Sequence, residues 1–214
     1  MEVERVVIEQ KKRQQRSDKK RDVKPTIPMQ LRECIYRLSY ITDTPVKDVS
    51  EALCESGINS KKVIELLSDK FRRDYRRENT YYLGDLSRPS LQKSNIEGEK
   101  ERITIRFSQE TYEKISSLAY ALDVTVSKAT FLLLDASVRN TNFLNRYVKE
   151  SLRTHLDDKR MRELQEVLKF INDNNPYEEK ITWMGFISYL YHEFKGSTKT
   201  VSQSIIDWLE KQKE

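Results

Sequence analysis

The chain has 214 residues, with 39 Lys or Arg against 34 Asp or Glu, a net charge of +5, and it is 34% charged and 37% hydrophobic. That balance fits a soluble protein of one or two domains with small helix-lined cores, and no apolar run approaches the roughly 20 residues of a membrane span. The five glycines, at 57, 84, 98, 185 and 196, are too scattered for a phosphate-cradling loop, and His155 and His192 have no partner at metal-ligand or nucleophile spacing, so neither an enzyme nor a cofactor is expected.

The N-terminus, MEVERVVIEQKKRQQ, carries charges where a signal peptide needs its apolar stretch, which predicts a cytoplasmic, nucleoid-associated location. From Lys11 to Lys24 eight basic residues (Lys11, Lys12, Arg13, Arg16, Lys19, Lys20, Arg21, Lys24) face two acids, a local +6 that leaves the other 200 residues at −1. With Gln and Ser between the charges and no apolar period, residues 1–22 are expected to form a solvated arm able to follow a phosphate backbone. Beyond it, Cys34 and Cys54 fall inside helical apolar patterns and read as small buried hydrophobes in a reducing compartment. Thr44-Pro45 reads as a helix start, with Thr44 as the cap and Pro45 in the first helical position.

Residues 58–100 are expected to form a helix over Ser60 to Glu78, ending in the cluster Lys70, Arg72, Arg73, Arg76 and Arg77. The following ENTYYLGDLSRPSLQKSNIEGEKE has turn residues and no period, which predicts a mobile connection, with Tyr81 and Tyr82 packing back on the helix.

The most informative stretch is 101–139. Ile103, Ile105 and Phe107 alternate with Arg102, Thr104 and Arg106, the period of a half-buried strand. Ser108 can cap the next helix, whose apolar face holds Ile115, Leu118, Tyr120 or Ala121, and Leu122. That helix should stop near Asp123, before the β-branched Val124, Thr125 and Val126. Thr125 or Ser127 can cap a second helix, with Ala129, Leu132, Leu133, Leu134 and Ala136 on its apolar face. One strand and two helices of this size cannot bury their apolar faces alone, so the unit must pair with another copy.

This order of strand, helix, capped turn and helix resembles the ribbon-helix-helix superfamily of Arc/MetJ-type bacterial and phage regulators. The resemblance implies that two units pair through their strands and that the resulting ribbon enters the DNA major groove. Its base readers would be Arg102, Thr104 and Arg106. Its phosphate-binding turn would fall on Thr125, Val126, Ser127 and Lys128, aided by Lys11, Lys12, Arg13, Arg16, Lys19, Lys20 and Arg21 of the arm. The residue types suit the role: Arg bonds bidentately to guanine O6 and N7, and Thr bonds a base or touches a thymine methyl. One departure is Asp123 where many members have Gly; Asp tolerates the left-handed conformation, but its carboxylate is unfavourable beside DNA.

Sliding the chain by 80 residues aligns Arg32–Gly57 with Tyr112–Ser137 without a gap, and seven of the 26 positions are identical: Glu33/Glu113, Ile35/Ile115, Leu38/Leu118, Tyr40/Tyr120, Asp43/Asp123, Val46/Val126 and Leu53/Leu133. Chance gives on the order of one or two, so a second, degenerate unit is expected over 23–57. Its outward strand residues would be Lys24 and Thr26, its inward ones Val23, Pro25 and Ile27. Pro25 and Pro28 lack an N–H and should weaken the ladder, leaving a shortened strand or one used for assembly. The two strands could pair within one chain as a pseudo-dimer, or each with its like in a second chain.

Residues 140–214 are expected to form a helical C-terminal domain, a possible surface for a protein partner. Phe143, Leu144, Tyr147, Val148, Leu152 and Leu156 make one stripe, and Met161, Leu164, Val167, Leu168 and Ile171 another. Ile181, Trp183, Met184, Phe186, Ile187, Leu190, Tyr191 and Phe194 make a third, and Val201, Ile205, Ile206, Trp208 and Leu209 a last helix. The fold expected is mainly α: two ribbon-helix-helix units, each a short strand and two helices, with the helical region behind them. The function expected is a sequence-specific regulator of double-stranded DNA, a repressor. The alternatives are a plasmid-partition or relaxosome adaptor on the same DNA-binding domain, and an antitoxin-like or purely helical interaction protein.

Overall fold

A computed structural model describes residues 20–95, 97–152, 157–173, 175–177 and 180–194. Lys11, Lys12, Arg13, Arg16, Lys19, Leu156 and the expected final helix lie outside the described residues. In chain order the elements are β1 (Arg21–Val23), β2 (Thr26–Pro28), α1 (Met29–Thr42), α2 (Val46–Ile58), α3 (Lys61–Ser68), β3 (Tyr75–Arg77) and β4 (Thr80–Tyr82). They continue with β5 (Lys100–Arg102), β6 (Ile105–Phe107), α4 (Gln109–Leu122), α5 (Val126–Val138), α6 (Thr141–Leu152), α7 (Asp158–Asn172) and α8 (Trp183–Phe194).

The first question left open by the residues is answered by the strand pairing. β1 runs antiparallel to β6, with Asp22 opposite Arg106 and Val23 opposite Ile105. β2 runs antiparallel to β5 in the same register, with Thr26 opposite Arg102. The two bridges are halves of one ribbon, 21–28 against 100–107, formed within a single chain. The ladder breaks at Pro25, which has no N–H to give, yet the Pro25 carbonyl still accepts from Ile103 N at 3.1 Å and holds the register across the gap. The first strand therefore starts at Arg21, inside the stretch expected to be a free arm. Its prolines interrupt it without removing it.

Both strands lead into helix pairs of equal length. The bounds of α4 (109 and 122) follow those of α1 (29 and 42) by 80, as those of α5 (126 and 138) follow those of α2 (46 and 58). The sequence matches now have physical reasons. Ile35 and Ile115, Leu38 and Leu118, and Leu53 and Leu133 are buried core. Asp43 (φ 49°) and Asp123 (φ 56°) both take the left-handed conformation that ends the first helix, a position Asp tolerates better than most residues with a side chain. In each copy the N–H after the turn returns to the helix, Thr44 N to Ser39 O at 3.1 Å and Val124 N to Ala119 O at 3.0 Å. Ala121 takes the inward place on α4, and Tyr120 is exposed.

The starts of the second helices differ. Thr125 caps α5 through its side chain, which accepts from Lys128 N. Thr44, expected to cap α2, does not: Pro45 stands at the cap position with no side-chain bond, and Thr44 donates to Thr42 O instead. The cause is the proline, which lies one position earlier than the first helical residue. Ser108 caps α4 as expected, accepting from Thr111 N at 3.1 Å.

α2 and α5 cross at the centre, and the crossing is close at Gly57 and Ser137, which are 80 residues apart. A Cβ on Gly57 would lie 1.8 Å from Ser137 Oγ and 3.1 Å from Leu133 Cδ1. Alanine in a helix interior normally gains about 0.5–1 kcal/mol over glycine. Here overlap with a buried side chain outweighs that gain, and Gly57→Ala is expected to cost roughly 1–3 kcal/mol in a denaturant melt. Adding Ser137→Gly should return most of the loss; no recovery would place the strain elsewhere.

Two expectations for 58–100 are corrected. The helix ends at Ser68, and the basic cluster lies on the turn after it and on β3, because Phe71 and Tyr75 form an aromatic group with Tyr82 across a hairpin (centroids 5.2, 6.1 and 6.3 Å). The stretch expected to be a mobile connection has defined contacts: Asp85 N donates to Phe71 O at 3.0 Å, and Arg88 Nη1 donates to Ser68 O and Phe71 O at 2.7 and 2.9 Å. Tyr82 packs on Phe71 and Tyr75 of the turn and hairpin rather than on a helix, and Tyr81 is exposed, its hydroxyl bonded to Asp74.

The C-terminal helices bury the expected stripes. Phe143, Leu144, Val148 and Leu152 of α6, Met161, Leu164, Val167, Leu168 and Ile171 of α7, and Phe186, Ile187 and Leu190 of α8 join one continuous core with the repeats. Met184, expected on the α8 stripe, is exposed. α7 lies along α1, where Arg37 pairs with Glu163 and Lys159 sits 4.6 Å from the Tyr40 ring centroid. Among the described residues this docking leaves the outer face of the ribbon exposed. Cys34 and Cys54 are fully buried; burial pushes the Cys34 thiol up to about 12 and raises that of Cys54 as well. The thiolate being the reactive form, the folded protein at pH 8 should not take up a thiol reagent, and the denatured protein should take up two equivalents. Fast labelling of the folded chain would contradict the burial. No single described helix is long and apolar enough to cross a membrane.

Candidate nucleic-acid interface

The ribbon has two chemically distinct faces. Val23, Pro25 and Ile27 of the first strand and Ile103, Ile105 and Phe107 of the second are all buried against the helices. The outer face carries Asp22, Lys24 and Thr26 from one strand and Arg102, Thr104 and Arg106 from the other, with Pro28 facing Lys100 where the ribbon ends. Of the six central residues all are exposed except Thr26, which is half-buried. The five residues expected as base readers, Arg102, Thr104, Arg106, Lys24 and Thr26, are thus brought onto one surface. A two-stranded ribbon of this width can enter the major groove, and the side chains it presents are mainly hydrogen-bond donors.

Asp22 is the sixth member and escaped the sequence reading, which placed it in the arm. Its Oδ1 lies 3.2 Å from Arg106 Nε, with both side chains about half exposed. An ion pair this open contributes about 0–1 kcal/mol, so it orients Arg106 without locking it. Extending the alternation two residues back from Lys24 would have found Asp22.

The turn residues lie beside the ribbon. Ser127 Oγ donates to Lys24 O at 2.8 Å, tying the start of α5 to the first strand. Gln92 Oε1 accepts from Thr125 N at 2.9 Å, and Lys128 Nζ donates to Ser94 O at 2.9 Å, so the connection between the repeats reaches over the beginning of α5. Thr26, Gln92, Ser94, Lys100, Thr125 and Lys128 contribute to the walls of a cleft of about 300 Å³ there. Burial and the nearby Lys100 ammonium hold Lys128 below its ordinary lysine range. Two lysines and a helix start converge on this cleft, a setting that favours an anion. Val126 contributes backbone at the first helical position. Gln92, Ser94 and Lys100 carried no signal in a stretch without period.

Of the arm, Lys20 and Arg21 are described and both are engaged with the protein. Lys20 Nζ lies 2.6 Å from Glu51 of α2, whose hydrogen bond raises the lysine above its ordinary range. Arg21 Nε donates to Gln109 Oε1 at 3.0 Å, beside the Tyr112 ring. The carboxylate of Asp123 is neutralised locally: Arg73 Nη2 lies 2.6 Å and Arg72 Nη1 3.5 Å from it, and both backbone N–H groups donate to Ala121 O. The basic cluster after α3 thus closes the end of α4. Comparison with family models, curated proteins and solved structures gave no significant match for this chain.

Proposed function

We propose that this protein is a sequence-specific double-stranded DNA-binding regulator of the ribbon-helix-helix type, in which one chain supplies both units and the ribbon reads the major groove. The observation that carries the reading is the ribbon itself. Seven polar or charged side chains, Lys100 at the end of the ribbon included, stand on one face, with a fully apolar face behind them and no element of the described residues laid across it. The start of α5, with Lys128 and Lys100, would hold a phosphate at the ribbon's flank. The basic arm would add affinity that falls as salt rises. A regulator of this kind works in the cytoplasm on the nucleoid, and represses by occupying its operator. No catalytic set is involved.

Selection from a random duplex library with the full chain tests the reading. A discrete motif bound far more tightly than scrambled duplex at the same salt is the expected result. If no sequence is enriched, the ribbon only joins the two units and the protein is a helical interaction module.

A further inference from the structure

The ribbon pairing contains information about the DNA site, on the premise that the DNA-binding reading above holds. By the 80-residue repeat, Asp22, Lys24 and Thr26 are the counterparts of Arg102, Thr104 and Arg106. The antiparallel register sets Asp22 against Arg106 and Thr26 against Arg102, and its continuation sets Lys24 against Thr104. The Lys24/Thr104 pair therefore lies where a dyad would pass. Two identical strands in this register would place an arginine pair, Arg102 against Arg106, at both ends. Here one end has Arg106 beside a carboxylate, the other has Arg102 beside a threonine, and the centre has a lysine facing a threonine. All three of these outward pairs break the dyad although the backbone nearly keeps it. The flanks differ too, since Gln92 reaches the start of α5 while α2 begins at an uncapped Pro45.

We propose that a single chain reads a non-palindromic DNA site and that Asp22 is the residue that makes the two ends of that site different. An ionised carboxylate only accepts hydrogen bonds. In the major groove it can therefore be satisfied by the amino group of cytosine N4 or adenine N6, and it is left facing an acceptor by guanine or thymine. At the same end Asp22 shares Arg106, so the arginine approaches its base along the direction that the 3.2 Å contact sets. Arg102, opposite Thr26, has no such constraint and is free to take guanine O6 and N7 at the other end.

The test is selection from a random duplex library with full-length wild type, Asp22→Ala and Asp22→Asn, followed by the mass of the wild-type complex on its selected duplex. The expected wild-type motif has no dyad, binds one chain per site, and at one end prefers C or A over G or T by roughly 5- to 100-fold. Asp22→Ala should reduce that preference to below about threefold, alter the preference at the position read by the released Arg106, and leave the centre and the Arg102 end unchanged. Asn donates as well as accepts, so Asp22→Asn should admit G or T there. Asp22 is surface-exposed, and unchanged melts of both variants would show that the fold is intact. A palindromic motif with two chains per site would overturn the inference and leave the DNA reading standing, as would an Asp22→Ala motif identical to wild type. Enrichment of no motif would overturn both.

Discussion

Replacing Arg102 and Arg106 together with alanine is expected to remove specific DNA binding and leave the fold as it is. Each well-placed bidentate arginine contributes about 1–3 kcal/mol of discrimination, so the pair should lower affinity for the selected duplex by roughly 30-fold or more. Arg106 must give up or share Asp22 to reach a base, and an exposed pair of this kind costs at most about 1 kcal/mol to break. That correction is too small to reverse the result. Affinity for scrambled duplex at low salt should fall much less, because that term counts phosphate contacts rather than base contacts. Thermal melts of the variant should overlay those of wild type, since both guanidiniums stand on the exposed face. Dissociation constants on selected and scrambled duplex at one salt concentration separate the two terms. Undiminished specific binding would show that the ribbon is not the reader.

The opposite result is expected one residue away. Phe107 is fully buried where β6 turns into α4, and β6 lies against α2 of the other repeat. Phe107→Ala should cost about 3–5 kcal/mol, the sum of lost transfer energy and an unfilled cavity. Domains are stable by only about 5–15 kcal/mol, and in a chain of this size each kcal/mol moves the midpoint by about 2–4 °C, so a fall of the order of 10 °C is expected. Arg106→Ala alone should stay within about 0.5 kcal/mol of wild type. Calorimetry on the two single variants reads the alternation of the strand directly. A Phe107→Ala protein that melted like wild type would mean that the strand's inner face is not packed as described.

Much of this was legible in the residues because burial imposes a period. The alternation at 102–107 predicted which side chains point out, and all six places hold. The 80-residue offset predicted the helix pairs because Ile35/Ile115, Leu38/Leu118 and Leu53/Leu133 fill equivalent core positions, and Asp43/Asp123 serve equivalent turns. The failures occurred where no period exists. A basic run after α3 looked like a helix end, but Phe71, Tyr75 and Tyr82 needed a hairpin to meet, and helical spacing cannot signal an aromatic group closed across a turn. Thr44 looked like a cap, but the proline beside it took that position. Gln92 and Ser94 at the start of α5 could not have been found, since side-chain bonds from an irregular segment leave no pattern.

By itself the sequence determined the local units, their apolar faces and the chemistry on the second strand, because these depend on the spacing of neighbours a few residues apart. Which strand pairs with which is a contact between residues roughly 80 apart, and composition does not determine it: Pro25 argued against a ladder, yet its carbonyl kept the register. Only the tertiary structure decided that the ribbon closes within one chain. That closure put Asp22 against Arg106 and left the two ends of the outward face unlike, because an antiparallel pair of different strands cannot present the same residues twice.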